Sequence, residues 1–395
     1  MSFLSRDLVC PFCFTAFGPW NIRFRCIFPG CTGLAPDAQF AKYRGGIGAT
    51  MGRVLAPAKP GMLDRTRVPA SATCDTCQQD TRTRLCPECH FQLAHDIGQV
   101  DQRIIAIIGG RNTGKSHYIV TLLNRLQNEV GANFNFSVLP MTDESRSRWL
   151  NEFYNPLYES KNVLPATAPA AVNVQVKSPL IFRLTLGEAV GRRVLNLSFF
   201  DTAGEDMKSL DTMSIQAKYI THADGIVFLL DPLQIPYVRD RLGSSANLPT
   251  RDDDSRPDFI VQRLIELFER QGVARARDTI KTPIAFALSK VDALSMILDA
   301  SSALQNPGEH FGQLDLRDVR DMSGEIANYL RSWIGAGFCN VIEQRFANFN
   351  YFGVSSLGEP PVPGQPLRAI RPFRVEDPFL WILYQFNLIK AAKGR

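Results

Sequence analysis

Gly109-Gly110-Arg111-Asn112-Thr113-Gly114-Lys115-Ser116 is a G-x-x-x-x-G-K-[ST] sequence that directly follows the apolar run Ile104-Ile105-Ala106-Ile107-Ile108. This is the spacing of a phosphate-binding loop between a buried strand and a helix. The glycines let the backbone curl until its N–H groups face an anion. Lys115 can then reach the β and γ phosphates of a nucleoside triphosphate, and the Ser116 hydroxyl can ligate Mg2+. Average residue frequencies produce the pattern by accident in roughly one chain of this length in a hundred. With the flanking strand and helix also in place, a glycine turn that merely joins two elements is the weaker reading.

Cysteines supply the second chemistry. Eight of the nine lie in the first 89 residues, as Cys10-x-x-Cys13, Cys26-x-x-x-x-Cys31, Cys74-x-x-Cys77 and Cys86-x-x-Cys89. Taken in chain order they make two sets, Cys10, Cys13, Cys26, Cys31 and Cys74, Cys77, Cys86, Cys89. Each set matches a tetrahedral Zn2+ held by four thiolates. His90 is an alternative ligand to Cys89. Two complete sets leave no open position for a catalytic zinc, so the metal reads as a source of folding energy for a small head. Cys339, beside Phe338 in a helical pattern, reads as a small core residue.

These residues need elements to position them. Strand 104–108 leads through the loop into a helix over about 116–130, with Ile119, Leu122, Leu123 and Leu126 on one face. A second helix is predicted over 145–158, before the proline-rich 164–169. Strands near 180–186 and 193–200, joined by 187–191, read as a hairpin. Buried strands follow at 225–230, 284–288 and 351–354, with helical patterns between them. The pattern predicts an α/β fold with a mostly parallel sheet, one antiparallel hairpin strand and helices on both faces. Residues 251–257 read as an exposed acidic loop before a helix over about 257–271. Asp377 and Pro378 read as the N-cap and first position of a closing helix, faced by Phe379, Leu380, Leu383, Phe386 and Ile389. The expected domains are a zinc-ribbon-like head over 1–100 and a nucleotide domain over 101–395.

Composition sets limits. With 45% apolar and 21% charged residues and a net charge of +5, the chain is of ordinary globular type. That charge is too small to argue nucleic-acid binding by itself. The head carries eleven Lys/Arg against seven Asp/Glu. Arg23, Arg25, Arg65, Arg67, Arg82 and Arg84, with Phe12, Phe14, Phe24 and Phe28, are what a single-stranded nucleic acid would use there. A platform for protein contacts is the favoured reading. No apolar run reaches the roughly 18 residues of a membrane span. The first residues lack a signal-peptide pattern, so a cytoplasmic location is expected.

Three more motifs end apolar strands: Asp201-Thr202-Ala203-Gly204, Ser289-Lys290-Val291-Asp292 and Ser355-Ser356-Leu357. Their order along the chain puts them on the carboxyl edge of one sheet, where open α/β folds bind ligands. With the phosphate loop, this set resembles the guanine-nucleotide motifs of the translation-factor-related (TRAFAC) P-loop GTPases. The cysteine-rich head and the closing Val375-Glu376-Asp377-Pro378-Phe379-Leu380-Trp381 are similar to a bacterial "double-GTPase" group within that clade.

The resemblance implies a GTPase fold, GTP and Mg2+. Gly109, Gly110, Arg111, Asn112, Thr113, Gly114, Lys115, Ser116 and His117 would line the phosphates. Mg2+ would be held by Ser116, Thr167 and, through water, Asp201, while the Gly204 N–H senses the γ-phosphate. Thr142 is the fallback for Thr167. Asp292 would accept hydrogen bonds from guanine N1 and N2, with the Lys290 stem along the base and the Ser355 and Ser356 N–H groups facing O6. Ser289 stands where Asn is commoner, which weakens one tie to the phosphate loop. Glu205 stands where many relatives have a water-orienting Gln, and Arg111 where many have Gly. Asn112 raises the expectation of K+ beside the phosphates.

The function implied is slow GTP hydrolysis, switch segments around 160–178 and 203–215, and a protein partner from the same gene system. Three alternatives stay open: a nucleotide-stabilised scaffold with little turnover, an ATP-using P-loop enzyme, and a zinc-dependent nucleic-acid binder regulated by the GTPase.

Overall fold

The phosphate loop hangs from the middle of a seven-stranded sheet. β1 (Asp101–Gly109) carries it, and its apolar run is buried because a strand lies on either side. The sheet continues with β2 (Phe136–Pro140), β3 (Leu180–Leu186), β4 (Arg193–Asp201), β5 (Gly225–Leu230), β6 (Ile284–Leu288) and β7 (Phe349–Gly353). The strand order is β2-β3-β4-β1-β5-β6-β7. β1, β5, β6 and β7 run parallel, while β3 is antiparallel to both β2 and β4. This is the expected mostly parallel sheet with a hairpin. β2 was not expected, because its five residues FSVLP end in a proline that an edge strand tolerates and a central one does not.

The computed structural model describes residues 7–44, 50–58, 67–165, 179–187, 193–201, 214–243, 248–308, 310–362 and 364–392, with backbone alone at 200–201 and 214–216. The chain divides into two units, residues 1–102 with 173–179 and residues 103–172 with 180–395.

In the second unit, α1 (Lys115–Arg125) follows the loop. Its expected apolar face is fully buried, and so are Tyr118, Val120 and Thr121. α1 is therefore enclosed rather than half-exposed. Past Arg125 the winding loosens to a π-helical turn over Leu126–Val130. α2 (Asp143–Arg148) passes into a π helix, Trp149–Glu159, that contains Pro156. α3 (Ser214–Thr221) precedes β5, and α4 (Pro236–Leu242) follows it. α5 (Pro257–Arg270) starts on proline, whose missing N–H costs nothing in a first turn, and buries Ile260, Val261, Leu264 and Phe268. α6 (Leu316–Trp333) is capped by Asp315, which accepts from Arg317 N at 2.8 Å and Asp318 N at 3.2 Å. It packs on β7 and on α7 (Ala336–Arg345), where Cys339 is buried.

α8 (Asp377–Gln385) covers β5 and β6. Glu376, not Asp377, is its N-cap, and the helix ends before Phe386. Asp377 is instead drawn into a buried ion cluster, where its carboxylate takes Arg374 Nε at 2.6 Å and lies 3.5 Å from His310 Nε2. The helix approaches so closely that a Cβ at Gly225 would sit 2.7 Å from Ile382.

Among its described residues the head has very short strands, one α-helix, Ala38–Arg44, and a 3-10 turn, Pro19–Asn21. Arg23–Arg25 pairs with Val54–Leu55 and with Arg84–Leu85. Three two-stranded ribbons are also present: Leu8–Val9 with Ala16–Phe17, Ala72–Thr73 with Asp80–Thr81, and Leu34–Pro36 with Thr50–Gly52. A Cβ at Gly52 would fall 1.8 Å from the Cys26 carbonyl oxygen, so only glycine lets that strand cross there.

Candidate functional site

At the loop itself, Asn112 (φ 58°) and Gly114 (φ 91°) adopt left-handed backbone, which turns the chain between β1 and α1. Thr113 Oγ1 donates to Gly110 O at 3.0 Å. Lys115 is buried, and its Nζ donates to Gly109 O at 3.2 Å and Gly110 O at 2.8 Å. These are the contacts of an ammonium folded into the mouth of its own loop. Arg111 and Asn112 are exposed, and the Arg111 N–H donates to Ser255 Oγ at 3.1 Å.

His117 is turned inward from α1. Its Nε2 accepts the Leu164 N–H at 3.1 Å, which ties the chain leading to residue 165 onto the phosphate-loop helix. Burial, with the nearby Lys290 charge, pushes its pKa down to about 4, so the ring is neutral and able to accept. Thr167, Gly204 and Glu205 lie outside the described residues. For Asp201 the backbone alone is described, as the last residue of β4. Thr142 is committed elsewhere: its Oγ1 accepts from Ser145 N at 3.0 Å and donates to Ser145 Oγ at 2.9 Å, capping α2.

The other motifs lie at the same carboxyl ends. Ser289 N and Oγ both donate to Leu230 O, at 2.8 and 3.1 Å. Lys290, at φ 55°, extends its Nζ to Asp231 Oδ2 at 2.7 Å. Burial raises the Asp292 pKa, opposed by a hydrogen bond from Ser355, a backbone N–H and the Lys290 charge. The Ser355 N–H donates to Phe373 O at 3.0 Å and Phe373 N returns the bond at 2.8 Å. That corrects one expectation: the Ser355 N–H is spent on an antiparallel bridge, and the residue serves Asp292 through its hydroxyl instead. The segment at 251–257 is only in part the exposed loop its charges suggest: Arg251, Asp253 and Asp254 are exposed. Ser255 and Pro257 are buried there.

The cysteines group differently from their order in the chain. Cys10, Cys13, Cys86 and Cys89 form one cluster, and Cys26, Cys31, Cys74 and Cys77 the other. The outer knuckles pair with each other and enclose the inner pair. Chain order fails here because a knuckle is a local turn with two free valences, and which turns meet is set by contacts between segments far apart in the chain.

Three knuckles share one backbone form: Phe14, Gln78 and His90, each just after a second cysteine, have φ of 57°, 58° and 56°. Across the clusters, the Sγ–Sγ distances are 3.6 Å for Cys10–Cys89 and Cys13–Cys86, 3.7 Å for Cys26–Cys77 and 3.9 Å for Cys31–Cys74. A tetrahedron with Zn–S near 2.3 Å has edges of about 3.8 Å, so the donor sets fit Zn2+. His90 is not needed as a ligand: its Nδ1 lies 2.8 Å from Asp37 Oδ1, and Asp37 Oδ2 takes Arg25 Nη2 at 2.7 Å.

That ion triad also weakens the nucleic-acid reading of the head. Arg25, Arg84, Phe14 and Phe24 are buried, and the Phe12 ring stacks on Phe91 at 4.6 Å.

Comparison with known proteins agrees with this geometry. The chain is 28% identical over 400 residues to a protein of Mycolicibacterium smegmatis, SaeC, whose name describes ESX-1 scaffolding and assembly, with 96% of this chain and 99% of that protein aligned. No helix among the described residues is long and apolar enough to cross a membrane. The model of the Double-GTPase 2 family matches residues 103–355, a span that begins in β1, holds the phosphate loop and the motifs at 201–204 and 289–292, and ends at Ser355, the first residue of the third. More than half the chain is matched, and the chain belongs to the Double-GTPase 2 family.

Proposed function

We propose that the chain binds GTP with Mg2+, hydrolyses it slowly, and passes its nucleotide state to a protein partner. The observation that carries this reading is the loop from Gly109 to Ser116, held between a buried strand and a buried helix with Lys115 folded into its mouth. Base selection would fall to Asp292, positioned by the Ser355 hydroxyl and by Lys290. Guanine offers two donors to one carboxylate, whereas adenine has no such pair.

Ser116, Asp201 and Thr167 would hold Mg2+, a hydroxyl and carboxylate set that suits a hard cation, and the ion would neutralise charge on the phosphates. Asn112, at the left-handed turn of the loop, would hold K+. Gly204 would sense the γ-phosphate, while Glu205 and Arg111 are the candidates for orienting water and stabilising charge. The head would carry two structural Zn2+ in its nested clusters.

The name of the Mycolicibacterium smegmatis relative speaks of scaffolding and assembly. We extend that to this chain as a nucleotide-gated contact with a protein from the same gene system. The same name favours a second reading, a nucleotide-stabilised scaffold with little turnover. Single-turnover hydrolysis with and without a candidate partner separates the two.

Calorimetric titration of the full chain with GTP, and separately with ATP, tests the core of the proposal. Tight GTP binding that Asp292→Asn abolishes is the expected result. Equal binding of both nucleotides would remove the guanine assignment.

A further inference from the structure

The acidic segment before α5 carries no recognised motif, yet it is built onto the phosphate loop. Ser255 is 1% exposed, and its Oγ accepts the Arg111 N–H at 3.1 Å while donating to Asp252 Oδ2 at 2.8 Å. Packing there leaves no room for a side chain on the loop: a Cβ at Gly110 would lie 2.8 Å from Ser255 Cβ and 2.7 Å from Ile260 Cδ1. Gly110 is thus required by this docking as well as by any phosphate.

The segment is itself tied back to the end of β5. Asp252 N donates to Gln234 Oε1 at 2.9 Å, and Gln234 Nε2 donates to Thr250 O at 3.3 Å. Arg239 Nη1 reaches Leu233 O at 2.8 Å and Pro249 O at 2.9 Å. The short helix holding Gln234 is capped by Asp231, which accepts from Leu233 N at 3.0 Å. That same carboxylate takes Lys290 Nζ at 2.7 Å. A continuous path therefore runs from Lys290 through Asp231, Gln234, Asp252 and Ser255 to Arg111. Ser289 does not provide such a link, since its hydroxyl ends on Leu230 O.

We propose that Ser255, oriented by Asp252 and Gln234, is a positioning residue for the phosphate loop and couples it to the base-reading Lys290. The proposal rests on the guanine-nucleotide reading above. A loop of N–H donors binds an anion well only if its shape is set beforehand. A hydroxyl holds the Arg111 N–H without placing a formal charge against a triphosphate, and Asp252 fixes that hydroxyl from behind. Without Oγ, the Arg111 N–H and the Asp252 carboxylate both lose a partner in a closed contact.

The test titrates the full chain with GTP by calorimetry, reading affinity separately from the fraction of active sites. Ser255→Ala is expected to weaken GTP about five- to tenfold, the loss of one partly buried hydrogen bond to the loop, with the active fraction unchanged. Gln234→Ala should weaken it less, and the double variant should be no worse than Ser255→Ala, because both act through one path. A fall in active fraction at unchanged affinity would make the contact structural only and overturn the proposal. So would unaltered binding by Ser255→Ala, or losses that add in full. If the parent chain prefers ATP, the guanine reading falls while the loop-positioning role is still measured with ATP. If it binds neither nucleotide, both fall.

Discussion

The head and the nucleotide unit solve the same problem with different means. In the nucleotide unit a seven-stranded sheet is buried between helices, and Phe286 alone meets the rings of Phe228, Phe346, Phe349 and Tyr351 at 5.6, 5.3, 6.3 and 5.9 Å. Burying each such ring contributes about 1.5–3 kcal/mol, so many residues share the stabilisation. In the head, cysteines make up seven of the fourteen residues in the buried cluster, so its interior is half sulfur side chains and has little apolar area to bury. Two Zn2+ in the proposed sites would concentrate stabilisation there at two points. The lesson is that the two units should fail differently.

The sharpest way to break that contrast is metal removal. Structural Zn2+ sites of this type carry about 10–16 kcal/mol of apparent binding free energy, more than a small head can replace. A strong chelator is expected to erase the head's unfolding transition in calorimetry while leaving a second transition that GTP still raises. Loss of both transitions together would mean the units do not stand separately.

Removing one metal refines the point. Cys13→Ser should reduce bound zinc from two ions to one and expose Cys86 and Cys89 to thiol labelling, with Cys74 and Cys77 still protected. The inner cluster closes the shorter loop, between Cys31 and Cys74, and so needs less chain entropy than the outer one between Cys13 and Cys86. Labelling of all the remaining knuckles at once would contradict two separate nested sites.

A core truncation acts on the other side. Phe286→Ala should cost the nucleotide unit about 3–5 kcal/mol, visible as a lowered second transition, with zinc content unchanged.

The smallest effect is a pH dependence confined to the nucleotide unit. Burial pulls the His310 pKa down, but the Asp377 carboxylate and the Asp318 charge outweigh burial and Arg374, and its pKa ends above the ordinary value. Its charged form is therefore favoured by folding. That contribution is complete below about pH 6.5, the unfolded value, and fades as pH rises through the raised folded value. His117 works in the opposite sense. With its pKa lowered to about 4, stability is lost as pH falls from about 6.5 toward that value. The second transition should therefore drop as pH rises above about 6.5, and His310→Gln should flatten that slope. An unchanged slope would assign it to other groups.

Much of the site was legible because its parts are local. A phosphate loop needs one strand, one turn and one helix in sequence, so Gly109 to Ser116 could be read directly. Strand ends carrying Asp201, Ser289 and Ser355 followed from apolar runs. Residues whose role depends on a distant partner were not legible. Ser255 stands among charges that suggest a solvated loop, and nothing local shows that Arg111 lies against it. Asp377 looks like a helix cap until Arg374 and His310 are placed beside it. Ser355 reads as a backbone donor until Phe373 takes its N–H.

What the amino-acid order determined by itself is therefore the chemistry on offer: a glycine-rich loop between strand and helix, the motif proposed to read the base, and eight cysteines in four knuckles. Each depends on residues a few positions apart, whose geometry the backbone sets without outside help. What only the tertiary structure decided is which of these groups meet. The nesting of the two cysteine clusters and the docking of Ser255 on the phosphate loop are contacts between segments far apart in the chain. Their partners are selected by long-range packing and hydrogen bonding, and no local pattern encodes that choice.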